Sequence, residues 1–289
     1  EAQMGISLAS AQWKALMTAL SNKVSVITGG PGVGKTTIIK ALASVYHARK
    51  LRVFLAAPTG RAAKRLSEAT SNEAKTVHRL LGMKWDEATR QVTFQKSEQE
   101  PLEADAVIVD EMSMVDLTLF SALLRSLRPG TRLVLVGDAD QLPSVGPGNI
   151  LRDVIASGRF ATVKLTEIFR QAQESLIVTN AHRVNRGEMP DLSVKDNDFF
   201  FLPRRTDREI ADTVVELCET RLPRAYGKAT EGGIQIITPS RKGEAGTDNL
   251  NRRLQSALNP PAKGKRELKY RETVFRVGDR VMQTKNNYD

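Results

Sequence analysis

The sequence predicts an α/β protein built on a parallel sheet with helices on both faces. Three observations support that class. Short β-branched apolar runs recur through the first half of the chain. Amphipathic stretches of helical length separate them. The runs end in glycine, proline or acidic residues, where a parallel sheet gathers its functional loops. Residues 24–28, 52–56, 106–109 and 132–136 read as buried strands, and residues 37–50 and 116–127 as intervening helices. In the second helix Asp116 is placed as N-cap, with Leu117, Phe120, Leu123, Leu124 and Leu127 along one face. Residues 84–96 alternate around a polar turn and predict a β-hairpin, within an insertion spanning 84–101. Beyond Phe169 the texture changes. Residues 187–191 and 222–227 read as loops, 233–239 as a further buried strand. A second α/β domain is expected to start near Leu165, which divides the chain into 1–165 and 166–289.

Bulk properties narrow the function classes. The 289 residues suffice for two domains, and 40% apolar with 26% charged residues is a globular composition. A formal net charge of +10 suits a polyanionic partner. No apolar run approaches the roughly 18 residues a membrane helix needs, and residues 1–10 lack the pattern of a secretory signal. A single cysteine, Cys218, excludes an internal disulfide framework. It shares a predicted helical face with Ile210, Val214 and Leu217 and reads as core packing. A reducing, cytoplasmic setting follows. The chain opens on Glu1 and stops at Asp289 just after a strand-like stretch, 279–284, so it is expected to be a fragment of something larger.

The segment Gly29, Gly30, Pro31, Gly32, Val33, Gly34, Lys35, Thr36 fits the pattern G-x-x-x-x-G-K-[ST] in full. The glycines let backbone N–H groups turn inward as an anion nest, and the helix that follows, through Thr37, aims its positive end at the same anion. Lys35 is expected on the β and γ phosphates of ATP and the Thr36 hydroxyl on Mg2+. Residues 106–109 end in Asp110 and Glu111, at the sheet edge where ligands bind. Asp110 would hold the metal, and Glu111 would orient and deprotonate the attacking water. A third strand ends at Asp138, Ala139, Asp140 and Gln141. Gln141 is placed to sense the γ-phosphate, whereas Asp138 and Asp140 read as structural.

These blocks, with Ala57 to Arg65, Thr76 to Gly82, Leu165 to Gln171 and Thr238 to Gly243, resemble superfamily 1 DNA helicases. Within them they are similar to the RecD-type (5′→3′) branch, which includes the exodeoxyribonuclease V α subunits of DNA repair and recombination. The resemblance implies two RecA-like P-loop domains, the second incomplete, and an ATP hydrolase that moves along single-stranded DNA. It implies that Gln12 reads the adenine and that Arg170 is the arginine sent by the second domain to the γ-phosphate. DNA contacts are implied for Pro58, Thr59, Gly60, Arg61, Thr76, Thr238, Pro239, Arg241 and Lys242. His78 is either a DNA contact or a packing residue. His47 and His182 are taken as structural. The 84–101 hairpin lies where this branch carries a strand-separating pin, and is either that or a surface insertion. The family's last two motifs, and the small inserted barrel before them, are expected beyond Asp289. Partners implied are single-stranded DNA and duplex junctions, with helicase–nuclease subunits as further candidates. No membrane is implied, and the motor is expected to be a monomer. For the fragment itself, ATP and DNA binding without unwinding is the alternative.

Overall fold

The computed structural model describes residues 8–86, 91–167, 173–227 and 233–282. The chain divides into two compact units, 1–200 and 201–289. The second unit therefore starts at Phe201, later than the expected domain boundary near Leu165.

Six parallel strands form the sheet of the first unit: β1 (Val24–Gly29), β2 (Val53–Ala57), β3 (Ala74–Thr76), β6 (Ala106–Val109), β7 (Arg132–Gly137) and β8 (Ala161–Leu165). Their order across the sheet is β3-β2-β6-β7-β1-β8. Because successive side chains of a strand point to opposite faces, the near-continuous apolar runs feed two separate cores. Ile27, Ile108, Val134 and Val136 pack on one face against α1 (Ser10–Ser21), α2 (Lys35–Ala48) and Leu66 of α3 (Gly60–Thr70). Their neighbours Val26, Val107, Val109, Leu133 and Leu135 pack on the other. There they meet α4 (Val77–Leu80), α5 (Leu117–Arg125) and α6 (Ile150–Ala156). The phenol of Tyr46, fully buried in the first core, donates to the Ala19 carbonyl at 3.1 Å. Burial raises its pKa, against the pull of Arg132 and Arg49.

The four predicted strands of the first half form within a residue of their expected limits, and both predicted helices form. Asp116 caps α5 as expected, its Oδ1 accepting from the Leu119 N–H at 2.8 Å. The buried face differs. Leu119 and Leu123 are buried, while Leu117 and Leu124 are 53% and 46% exposed. The helix is apolar at 117, 119, 120, 123 and 124, so composition leaves its rotational phase open. The predicted hairpin is present as β4 (Met83–Asp86) paired antiparallel with β5 (Gln91–Phe94). The first unit also contains α7 (Leu176–Asn185).

In the second unit α8 (Asp207–Glu216) runs through a π-type turn, Leu217–Arg221, into α9 (Leu222–Tyr226). Residues 222–226 are thus helical and not the expected loop: proline is tolerated in a first helical turn, where Pro223 sits. Cys218 is buried, as expected of a packing residue, and desolvation raises its thiol pKa. The helical face is shifted, with Ala211 and Thr213 buried and Ile210 37% exposed. Residues 233–239 are not the expected buried strand. They pair with no strand among the described residues, Ile237 is 90% exposed, and the Ile234 carbonyl accepts from the Arg280 guanidinium at 2.7 Å. An apolar run supplies side chains for a core, but its backbone still needs a neighbour. Helix α10 (Thr247–Leu258) follows, then the antiparallel hairpin of β9 (Glu267–Tyr270) and β10 (Thr273–Arg276). Residues 279–282, read as strand-like, are not in a strand. Asp279 ties these pieces, accepting from Gln255 Nε2 at 2.6 Å, Asn259 Nδ2 at 2.7 Å and the Arg276 N–H at 2.7 Å. Burial works to raise its pKa, but these bonds outweigh it and hold the carboxyl below its ordinary value.

Candidate nucleotide site

In a parallel sheet all strands end at one edge, so the loops after β1, β2, β3, β6 and β7 are brought together by topology alone. The loop after β1 is the glycine-rich one. Gly32 and Gly34 adopt φ of 75° and 76°, the left-handed region that side chains disfavour and that turns successive N–H groups toward one point. Gly34 is also the residue from which α2 starts, at Lys35. The Lys35 ammonium donates to the carbonyls of Gly29 at 2.6 Å and Gly30 at 2.9 Å, so it lies across the mouth of its own loop. Thr36 is exposed, Thr37 half-buried and Val33 buried at 1%.

Two strands away, β6 delivers Asp110. Its backbone N–H donates to the Ala56 carbonyl, and its Oδ1 accepts from the Glu111 N–H at 2.9 Å. Burial pushes its pKa up to about 6. The Glu111 N–H, Lys35 and Arg65 of α3 counter that rise, and the neighbouring Glu111 charge adds to it. Glu111 holds φ 53°, a strained conformation for a residue with a side chain, which turns it off the strand direction at this edge. The donors available for a metal, the Thr36 hydroxyl and the Asp110 carboxylate, are all oxygen, the set magnesium takes. A carboxylate whose charged form is disfavoured by burial gains from a cation beside it, so these residues fit magnesium. Among the described residues there is no cluster of three or more His, Cys, Asp or Glu able to hold a metal by itself.

Between them, β7 brings the loop 138–141. Asp138 is buried and structural, as expected: its Oδ1 accepts from the Asp140 N–H at 3.0 Å, and its Oδ2 from Gln141 Nε2 at 3.4 Å. Thr28 of β1 accepts from the Ala139 N–H at 3.2 Å, fastening this loop beside the phosphate loop. Gln12 is 3% exposed, its amide reaching the carbonyls of Gly34 at 3.4 Å and Val33 at 3.5 Å, and its Oε1 accepting from the Ala9 N–H at 3.1 Å. It lines a small cleft with Ala9, Ala11, Val33, Leu165 and Glu167. Arg170 lies outside the described residues.

The residues implied for DNA contact fall in two groups. Pro58, Thr59, Gly60 and Arg61 follow β2, and Thr76 ends β3, whose register pairs it with Ala57, so these sit side by side. The hydroxyls of Thr59 and Thr76 cap α3 and α4, accepting from the N–H of Ala62 at 3.2 Å and of Arg79 at 3.1 Å. His78 lies on α4, where burial lowers its pKa against the pull of Asp116. Near neutral pH its ring is uncharged and offers hydrogen bonds rather than charge. Thr238, Pro239, Arg241 and Lys242 belong to the second unit. There Thr238 Oγ1 donates to the Ala245 carbonyl at 2.8 Å, and Arg241 faces Asp248 at 3.4 Å. His182 of α7, taken from the sequence as structural, proves to be a neighbour of the phosphate loop, its Nε2 lying 3.2 Å from the Pro31 carbonyl.

Comparison with known proteins supports the same reading. The AAA domain family matches residues 12–147, and the family described as the SH3 domain of ATP-dependent RecD-like DNA helicases matches residues 250–289. The barrel expected beyond Asp289 therefore begins inside the chain, from α10 through the β9–β10 hairpin. The chain is 38% identical over 283 residues to the ATP-dependent RecD2 DNA helicase of Deinococcus radiodurans, covering 98% of this chain and 36% of that protein. It is 33% identical over 279 residues to the RecBCD enzyme subunit RecD of Mycolicibacterium smegmatis, covering 86% of this chain and 50% of that protein. The chain thus spans between a third and a half of these relatives. The crystal structure of the Pif1 helicase from Candida albicans shares the fold, with a TM-score of 0.50 and 22% identity over 76% of this chain and 55% of that one. A phosphate loop, an acidic strand end and a RecD-type SH3 match occur in one chain that aligns with RecD proteins along almost its whole length: it belongs to the RecD-type branch of superfamily 1 helicases.

Proposed function

We propose that the chain is the ATP-hydrolysing part of a DNA helicase that moves along single-stranded DNA, 5′→3′. The observation that carries this is the shared sheet edge, which sets the Gly29–Thr36 nest and Lys35 beside Asp110, Glu111 and Gln141. In the proposed mechanism the loop N–H groups and Lys35 bind the triphosphate, Lys35 exchanging its carbonyl partners for phosphate oxygens. Thr36 and Asp110 would hold a magnesium ion, which would supply positive charge to offset that of the phosphate oxygens. Glu111 takes the proton of the attacking water, Gln141 registers the γ-phosphate, Gln12 meets the adenine and Arg170 stabilises the transition-state charge. Residues 58–61, 76 and 78 of the first domain and 238–242 of the second contact the DNA backbone. Residues 201–289 are read as the start of a second RecA-like domain interrupted by the SH3-like barrel. The 84–101 hairpin is assigned as the strand-separating pin.

A second reading has its own support. Because the chain covers 36% and 50% of the two relatives, it could hold ATP and DNA without unwinding, as one piece of a helicase–nuclease. ATP hydrolysis with and without single-stranded DNA separates the two. Stimulation by DNA is the result for a motor; turnover indifferent to DNA is the result for a passive module. Unwinding of 5′-tailed against 3′-tailed duplexes then tests the direction, and a preference for the 3′ tail would reject it.

A further inference from the structure

We infer that His182 is a positioning residue for the phosphate loop, a strut from α7 that holds Gly30 and Pro31 in the nucleotide-binding conformation. The inference rests on the nucleotide site proposed above and adds a residue that no loop motif contains.

Two independent contacts point to it. The Nε2 of His182 lies 3.2 Å from the Pro31 carbonyl. A carbonyl oxygen only accepts, so Nε2 carries the proton and donates. The same ring also presents its Cε1 edge to the next residue back. A Cβ built on Gly30 would meet His182 Cε1 at 2.6 Å, Nε2 at 3.3 Å and Nδ1 at 3.4 Å, and these ring atoms are its three nearest neighbours. Gly30 is not among the glycines with positive φ, so its backbone would accept alanine. The glycine is needed because the imidazole occupies the space of a side chain.

The strut has a clear mechanical role. Lys35 pulls the carbonyls of Gly29 and Gly30 toward the loop mouth. His182 holds the Pro31 carbonyl from outside the loop. Fixing that peptide fixes the orientation of the adjoining N–H groups, on which the nest depends. When a triphosphate takes the Lys35 ammonium away from those carbonyls, the bond to Pro31 does not have to break. His182 is thus a support that persists through the nucleotide cycle, and it ties α7 to the loop.

The test uses this chain and a fluorescent ATP analogue, with equilibrium titration, steady-state hydrolysis and thermal melting read together. His182→Ala is expected to weaken nucleotide binding roughly three- to tenfold, the size of one lost hydrogen bond, and to raise KM more than it lowers kcat. The melting temperature should stay within about 2 °C. His182→Gln, which can still present a donor, should recover most of the affinity, and His182→Phe, which keeps the bulk but no donor, should not. Gly30→Ala should push the ring off the loop, so Gly30→Ala with His182→Ala should bind no worse than the weaker single variant. Wild-type affinity in His182→Ala, or multiplying losses in the double variant, overturns the inference while leaving the nucleotide site standing. No binding by the wild-type chain removes both.

Discussion

Asp110 shows how the site trades stability for chemistry. Its carboxyl, pushed up to about 6 from an ordinary 3.8, is held protonated in the folded state at pH values where the unfolded chain has already released the proton. Its contribution to stability therefore falls as pH rises from about 4 to 6, and above that window the ionised group works against the nucleotide-free fold. Asp110→Asn should raise the melting temperature at pH 7.5 by a few degrees, roughly 2–5 °C, flatten its fall across that window and abolish magnesium-dependent hydrolysis. A variant less stable than wild type at pH 7.5 would contradict this. Lys35 has the opposite profile. Among the described residues its ammonium is hydrogen-bonded within its own loop, so Lys35→Ala should fold normally, lose at least about a hundredfold in ATP turnover and keep its DNA affinity. Unchanged turnover would remove Lys35 from the mechanism. The candidate phosphate loop was legible in the sequence from its full pattern, and Asp110 and Glu111 were proposed because a buried run ends in them in a chain that carries that loop. His182 was not, since its place beside Pro31 comes from a helix about 150 residues downstream that no local pattern connects to the loop.

Among the elements, those buried on both faces were the easiest to read. The strands β1, β2, β6 and β7 are continuous apolar runs, and a parallel sheet covered on both sides leaves such runs no alternative place. Helix α5 was recognised by its Asp116 cap, but its phase was not, because leucines surround it. Asp116→Ala should cost about 1 kcal/mol of stability through the lost bond to the Leu119 N–H, read as a lower denaturant midpoint, and Asp116→Ser should recover most of it. Equal loss in both variants would show that the carboxylate acts otherwise than as a cap. Residues 233–239 carry a strand's composition without pairing to a strand among the described residues, and Pro223 looked like a loop marker although it sits in a first helical turn. For α5 and for 233–239 local composition was right and the missing information was the neighbour.

At the scale of the whole molecule, the charge of +10 gains meaning from where the proposed DNA residues fall. Arg61 lies after β2, and Arg241 and Lys242 lie in the second unit, so contacts to phosphates should release counterions. The logarithm of single-stranded DNA affinity is then expected to fall linearly with the logarithm of salt concentration, losing at least about tenfold between 50 and 200 mM. A flat response in a filter-binding or anisotropy titration would argue against backbone contact. Family membership was legible because its motifs run in order along the chain, whereas the barrel was misplaced because its start at residue 250 carries no motif of its own. The central claim is that one sheet edge clasps a magnesium–triphosphate. The structure of this chain with magnesium and a non-hydrolysable ATP analogue tests it most directly. The account predicts the β-phosphate on the N–H groups of residues 30–36, Lys35 turned from its carbonyl partners onto phosphate oxygens, and the metal between Thr36 and Asp110. A nucleotide bound elsewhere, or a metal remote from Asp110, would contradict it.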